Sequence, residues 1–178
     1  PLYRVWCPMT SQVTVQAVCG RGLVSATPSP HKTVFIKSGQ IRSATARCPK
    51  GQHLVTGGFQ RTNFGADGGN YVTESRAISS RAWRVTGSAF PIGGGELPAI
   101  AYCVRQKRPI LTEVESSVPV QAGQTATATT PTCPDGQRMT TTGFSTNGSR
   151  DAFFVASSLH DDGTSSTTAF GHFGPVPT

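Results

Sequence analysis

One stretch of this chain occurs twice, and that repeat limits the possible fold more than any other feature of the sequence. The segment Cys48–Phe59 aligns with Cys133–Phe144, and seven of the twelve aligned positions are identical. Self-similarity of this kind indicates copies of one supersecondary unit. The alignment therefore predicts a first repeat unit at residues 21–108 and a second at residues 109–178.

The similarity extends to both sides of this block. Upstream, Gly39-Gln40 matches Gly123-Gln124, and each pair precedes a stretch rich in Ala and Thr. Downstream, 72–75 is aligned with 155–158, mainly by register. Both copies are thus expected to contain the same series of strands and turns.

The two units do not end alike. The first closes with the strand-like segment Pro98–Cys103, for which the second unit has no counterpart before Thr178. A similar segment, Val15–Cys19, lies near the start of the chain instead. Residues 1–20 are therefore expected to supply a closing strand to the second unit, which is one way to cover an exposed sheet edge.

The same frame predicts the disulfides. If Cys48 bonds to Cys103 within the first unit, the equivalent bridge joins Cys19 to Cys133 and leaves Cys7 over. A Cys7–Cys19 bridge is the alternative, since spacing alone does not fix connectivity. No pair has the C-x-x-C spacing of zinc or redox sites, so no metal site is expected. Five cysteines in a small chain favour an oxidising compartment, either extracellular or at the cell surface.

Besides the odd Cys7, the N-terminal residues contain an extra strand-like segment. Tyr3-Arg4-Val5 resembles Trp83-Arg84-Val85, a strand that the second unit already matches elsewhere. Together with the odd Cys7, Tyr3 and Val5 are candidates for an intermolecular contact, in which this segment adds a strand to another subunit. The alternative is a strand folded back on its own domain.

The remaining patterns predict an all-β protein. Apolar residues alternate in short runs, Gly-rich turns separate them, and no helical stripe is present. Segments 28–30 and 109–119 contain prolines at equivalent places and are interpreted as connectors between the units. No run of apolar residues is long enough for a membrane span, so the chain is expected to be soluble, without membrane insertion.

The Cys-Pro-x-Gly and Gly-Phe pattern of Cys48–Phe59 and Cys133–Phe144 resembles the repeat of vitelline-membrane-outer-layer-type β-prism proteins. It is similar also to repeats of secreted actinobacterial proteins. The β-prism family has threefold internal symmetry, whereas this chain has two units and a partial one. The resemblance implies a disulfide-stapled all-β fold and leaves prism, sandwich and barrel-like arrangements open.

The sequence has few features of an enzyme. It contains no Gly-x-Ser-x-Gly elbow, phosphate loop or His-Glu-x-x-His frame, so neither catalysis nor a cofactor is expected. Trp83 and Tyr71 are the candidate ligand-binding aromatics, although burial in the core explains them equally well. Nucleic acid is not an expected partner, because the basic residues lack interleaved exposed aromatics.

Charge separates the two units. The net charge is +11 over residues 1–108 and −4 over 109–178, which together give the +7 of the whole chain. One basic and one acidic unit suit head-to-tail contact between copies of the chain. The sequence therefore favours a non-enzymatic structural subunit of a surface or filamentous assembly. The alternative is a monomeric, secreted, lectin-like module that binds glycan.

Overall fold

The structure, a computed structural model, describes residues 10–21, 26–59, 70–89, 94–105, 110–146, 152–159 and 164–171. These residues form strands and turns without a helix, as the alternating pattern predicted. The strands are β1 Thr10–Arg21, β2 Thr27–Pro28, β3 Lys32–Ile36, β4 Ile41–Arg47, β5 His53–Phe59, β6 Asn70–Ser79, β7 Ala82–Ala89, β8 Gly95–Val104, β9 Ile110–Gln121, β10 Thr125–Thr129, β11 Arg138–Ser145, β12 Ala152–Leu159 and β13 Ser165–Gly171.

The strands form three antiparallel sheets in two packed layers. The first layer is a six-stranded sheet in the order β4-β7-β6-β11-β1-β9. The second contains the β8 sheet, in which β8 pairs with β2 and β3 along one edge and with β5 along the other. It also contains the β10 sheet, in the order β10-β13-β12.

Each half of the six-stranded sheet covers one of the two smaller sheets. Trp83 and Val85 of β7 join Leu97 and Ala99 of β8 in the larger hydrophobic cluster. At the other end, Val13 and Val15 of β1 and Ala128 and Ala169 of the β10 sheet form a second cluster. Interleaved apolar side chains between two sheets are how a β-sandwich forms its core.

Strand β1 is an interior strand of the six-stranded sheet. It lies between β11 and β9, and its register places Thr14 beside both Ser145 and Ser117. The alternation of Val13, Val15 and Ala17 correctly predicts the face that lies in the core. The other face is also buried at Gln16, whose amide bonds the backbone of Ala77, and at Val18, which belongs to the larger hydrophobic cluster.

Two sequence interpretations were wrong. Segment 109–119 was expected to be a connector, but from residue 110 onward it belongs to the long strand β9, which pairs along all of β1. The prolines were given too much weight there, since an edge strand tolerates proline where no ladder bond is needed. Segment 28–30 also begins within strand β2, where Pro28 pairs with Tyr102.

The alignment of the downstream block was wrong by one residue. Val72 pairs with Gly87 and Phe154 pairs with Ala169, and a one-residue bulge follows both Val72 and Phe154. Val72 therefore corresponds to Phe154 and not to Val155. A bulge shifts strand register by one residue, which sequence identity this low does not reveal.

Four glycines with positive φ occur at matching points of the aligned segments: Gly39 (69°), Gly51 (78°), Gly123 (75°) and Gly136 (72°). Each precedes a glutamine whose backbone N–H closes a tight turn, at N···O distances of 3.0, 3.1, 3.0 and 3.0 Å respectively. A residue with a side chain is strained at this φ, so each of these turns requires glycine.

Candidate assembly surface

The outer face of the six-stranded sheet, turned away from the core, carries a buried carboxylate held by two arginines. Glu74 on β6 accepts hydrogen bonds from Nε and Nη2 of Arg84 at 2.8 and 2.6 Å, and from Nε of Arg76 at 2.7 Å. The hydroxyl of Thr86 donates a further bond to it at 2.7 Å. The side chain of Glu74 is 7% exposed, whereas those of Arg76 and Arg84 are 32% and 36% exposed.

Strand geometry explains how these residues meet. Glu74 and Arg76 are two positions apart on β6 and so point to the same face. Cross-strand pairing places Thr86 opposite Glu74 and Arg84 opposite Arg76 on β7. The bulge after Val72 puts this set on the outer face, while Ser75 and Ala77 point into the core.

The carboxylate of Glu74 remains ionised over a wide pH range. Burial by itself would raise its pKa, but hydrogen bonds from Arg84, Thr86 and Arg76 outweigh burial and hold the pKa below its usual value. The same contact raises the pKa of Arg84. A carboxylate with this many donors is poorly suited to general acid or base catalysis, which needs a pKa near the working pH. The cluster instead fixes two guanidinium groups at the surface.

A buried amide continues the polar surface toward β1. Strands β6 and β11 pair only at Ser75 and Glu74. Beyond that point the amide of Gln16 bonds the backbone of Ala77 in both directions: its Oε1 accepts from the Ala77 N–H at 3.1 Å and its Nε2 donates to the Ala77 carbonyl at 3.4 Å. Gly143 lies opposite Gln16 on β11, and a side chain there would meet β6, with Arg76 Cα only 2.9 Å from the added Cβ.

The two edges of the six-stranded sheet carry opposite charges. Strand β4 at one edge has the exposed residues Arg42 and Arg47. Strand β9 at the other edge has the exposed residues Glu113 and Glu115. Partial burial raises the pKa of Glu113; Arg76 acts against this rise and Glu115 adds to it. Within the described ranges the two ion pairs are those of Glu74 with Arg76 and Arg84, so the charges on the two edges form no ion pair with each other.

The cysteines bond as the repeat frame predicts. Cys19 is bonded to Cys133 and Cys48 to Cys103, with Cα atoms 5.6 and 5.7 Å apart. The Cys7–Cys19 alternative is therefore excluded in this structure. Cys7 itself, with Tyr3 and Val5, lies outside the described residues. Disulfides such as these are typical of an oxidising environment.

The two candidate aromatics are not exposed binding platforms. Trp83 is 1% exposed, and its indole N–H donates to Ser75 Oγ at 3.0 Å inside the core. Tyr71 is half-buried. The Glu74 cluster was not predicted from the sequence, although the alternating polar residues Glu74 and Arg76 on one strand and Arg84 and Thr86 on the next indicate two polar faces that could pair.

Comparisons with known proteins identify no relative: no family model, curated protein or solved structure matches the chain. Over the described ranges, no group of three or more His, Cys, Asp or Glu side chains could hold a metal ion. A search of the same residues finds no helix of the length and apolar character needed to cross a membrane.

Proposed function

We propose that this chain is a non-enzymatic structural protein of the extracellular space or cell surface, which associates head to tail with copies of itself into a filament or similar assembly. The observation that carries the proposal is the opposite charge of the two edges of one sheet, at Arg42 and Arg47 on β4 and at Glu113 and Glu115 on β9. Opposite charges on separate faces of one molecule favour heterologous contact, which extends instead of closing on itself.

The proposal includes a duplicated unit. Strand order supports it, since β4-β7-β6 and β10-β13-β12 are equivalent in the repeat, as are the β3-β8-β5 and β9-β1-β11 groups. The paired glycine turns and the two equivalent disulfides support it as well. In this interpretation β1 closes the second unit, just as β8 closes the first.

Strand complementation is thus proposed to take place within one chain. Strand β1 already has β9 and β11 of its own chain on either side, and the Cys19–Cys133 bridge fastens it there. Giving this strand to a neighbour would break both ladders and the disulfide. The contact between copies is therefore assigned to the charged sheet edges.

Sedimentation velocity over a concentration series tests the proposal. At low ionic strength, about 0.02 M, the protein should form species larger than a dimer, and about 0.5 M salt should weaken them because exposed charges are then screened. Electron microscopy of the low-salt sample should show extended particles. A monomer at every concentration and salt would refute self-assembly. Assemblies that resist salt but are lost in a Cys7→Ser variant would assign the contact to Cys7.

Glycan binding is a second candidate function, and one observation favours it. Tyr102 on the outward face of the β8 sheet is 38% exposed, and a side chain added at nearby Gly58 would meet nothing within 4 Å. An exposed aromatic ring beside an open glycine is a surface on which a sugar ring can stack. A glycan array that detects selective binding, lost in Tyr102→Ala, would support this candidate; binding unchanged by the substitution would remove it.

A further inference from the structure

The rows of side chains across the six-stranded sheet show which residues of the two edges lie at the same level. One row runs from Ser43 on β4 to Ser117 on β9, and every neighbouring pair in it is a register partner: Ser43, Thr86, Glu74, Ser145, Thr14, Ser117. Neighbouring strands are antiparallel throughout. Four residues along from Ser43 is Arg47, and four residues back from Ser117 is Glu113. Each of these two charges is therefore four residues from the row, in the same direction, on opposite edges.

The number of strands matters for what can be added at these edges. Because the sheet has six strands and every neighbouring pair is antiparallel, its edge strands β4 and β9 run in opposite directions. A second copy translated across the sheet would therefore place its β4 antiparallel to β9 of the first copy. No rotation of the copy is needed beyond the ordinary twist of a sheet.

The backbone hydrogen bonds between β4 and β7 show which residues of β4 have N–H and C=O groups that could pair with β9 of another copy. Residues 40 and 48 bond to β7, through Ala89 N–H to Gln40 O at 3.0 Å and Cys48 N–H to Arg81 O at 2.8 Å. In an antiparallel pair, bonded positions alternate with unbonded ones. Ser43, Thr45 and Arg47 thus turn their N–H and C=O groups away from β7, toward the side of β4 on which none of the described strands is paired.

The β9 edge follows the same alternation. Thr146 N–H bonds Thr73 O at 2.8 Å, so the adjacent pair of Ser145 and Glu74 is an unbonded one. Alternation from strand to strand then makes Thr14 and Ser117 unbonded too, and their hydroxyls meet at 2.7 Å, as expected where side chains approach closely. The backbone groups of Ser117 therefore point outward.

Resting on the proposed function, we propose that copies of this chain join by pairing β4 of one copy with β9 of the next, in the register that places Arg47 opposite Glu113, Thr45 opposite Glu115 and Ser43 opposite Ser117. The partner is a second copy of this chain. Opposite charges directly across two strands stabilise their pairing, whereas like charges oppose it.

Charged residues on an edge strand can also prevent edge pairing. Two features argue for attraction here. The charges on the two edges are of opposite sign and lie at matching levels. Moreover, Arg47 makes no ion pair in the described part of the chain, and Glu113 accepts only a long bond from Gln16 at 3.3 Å. Neither charge is therefore held in an ion pair that the contact would have to break, and Glu113 interacts with the charge of Arg76 without forming one.

This pairing predicts the dimensions of the assembly. Six strands at about 4.8 Å each give a rise of about 29 Å per copy along the sheet. A twist of about 20–25° per strand makes the continuous sheet a helical filament. Electron micrographs should contain a repeat near this rise.

Cysteine cross-linking tests the register. In a Cys7→Ser background, Ser43→Cys and Ser117→Cys variants are mixed and mildly oxidised. A paired contact brings these Cα atoms to about 5.5 Å, within disulfide reach, so a covalent heterodimer should form. Mixing Ser43→Cys with Glu96→Cys, which lies on β8, is the matched control and should not form one. Absence of the first cross-link in a sample that assembles would overturn the register.

Charge reversal tests the contact independently. Arg47→Glu or Glu113→Arg alone should raise the dissociation constant about tenfold, and both together in one chain should restore association. Arg42→Glu, which changes net charge equally on the same strand, should have less than about a twofold effect. If assemblies form but none of these changes matters, the edge contact is wrong while self-assembly stands. If the wild-type chain never assembles, both proposals fail.

Discussion

Gly57 is the position where the packing of this sandwich can be tested most sharply. It lies on β5 against the indole of Trp83, which is the largest fully buried side chain among the described residues. A Cβ added at Gly57 would overlap ring atoms of Trp83 and come within 2.8 Å of the carbonyl oxygen of Ile100. Neither neighbour can move far, because the ring is enclosed in the core and the carbonyl belongs to the β8 ladder.

We therefore expect Gly57→Ala to destabilise the fold by about 3 kcal/mol, the upper part of the usual cost of overpacking. The adjacent Gly58 is the matched control, since a Cβ there meets nothing within 4 Å. Gly58→Ala should be neutral or stabilising by up to about 0.5 kcal/mol, because alanine loses less backbone entropy in a strand. Urea unfolding followed by far-UV circular dichroism measures both, and the two midpoints should differ by more than about 1 M.

A double-mutant cycle shows whether the ring is the cause. In the second copy the matching positions are Thr142 and Ser165, which have no ring to accommodate. Trp83→Ser alone should cost several kcal/mol, but adding Gly57→Ala to it should cost at least about 1 kcal/mol less than in the wild type. Equal stability of the Gly57 and Gly58 variants, or strict additivity in the cycle, would refute this account of the core.

Three other predictions concern buried polar groups and a disulfide. Glu74→Gln should lower the free energy of unfolding by about 2 kcal/mol at neutral pH. Because the pKa of Glu74 is lowered in the folded state, the wild-type advantage is present above the unfolded pKa and is lost as the pH falls through the folded pKa. The unfolding curves of the two proteins should therefore converge in acid. Gln16→Leu should cost about 1–3 kcal/mol by leaving the Ala77 N–H unpaired, and amide exchange at Ala77 should accelerate. The Cys19–Cys133 bridge joins residues that are 114 positions apart in the sequence. Replacing both cysteines by serine should lower the free energy of unfolding by about 4–5 kcal/mol on the chain-entropy model. A loss below about 1 kcal/mol would show that the model fails here.

Much of the fold was predictable because the repeat constrains distant residues together. Pairing Cys48 with Cys103 in one copy immediately implied Cys19 with Cys133 in the other, which local patterns could not have suggested. The alternation of Val13, Val15 and Ala17 identified the core face of β1, because period-two burial is a local property of a strand.

The sheet order was not predictable for the opposite reason. The two halves of the six-stranded sheet join at β6 and β11 through only two register pairs, Ser75 with Phe144 and Glu74 with Ser145. Two residue pairs are too few to leave a recognisable pattern in the sequence, so the pairing of β6 with β11 could not be predicted. The Glu74 cluster depends on a bulge at Thr73, and a one-residue bulge decides which face a side chain occupies without changing the composition of the strand.

The second copy shows which charged residues the fold itself does not require. With Val72 aligned to Phe154, the positions of Glu74, Arg76 and Arg84 are occupied by Ala156, Ser158 and Ser166, listed in that order. The β10 sheet has the corresponding strand order without this charge cluster, so the strand order does not depend on the cluster. The two edges of the six-stranded sheet differ in charge because β4 comes from the basic part of the chain and β9 from the acidic part. Because one sheet contains strands from both parts of the chain, the charge difference along the sequence becomes a charge difference between the two edges of that sheet.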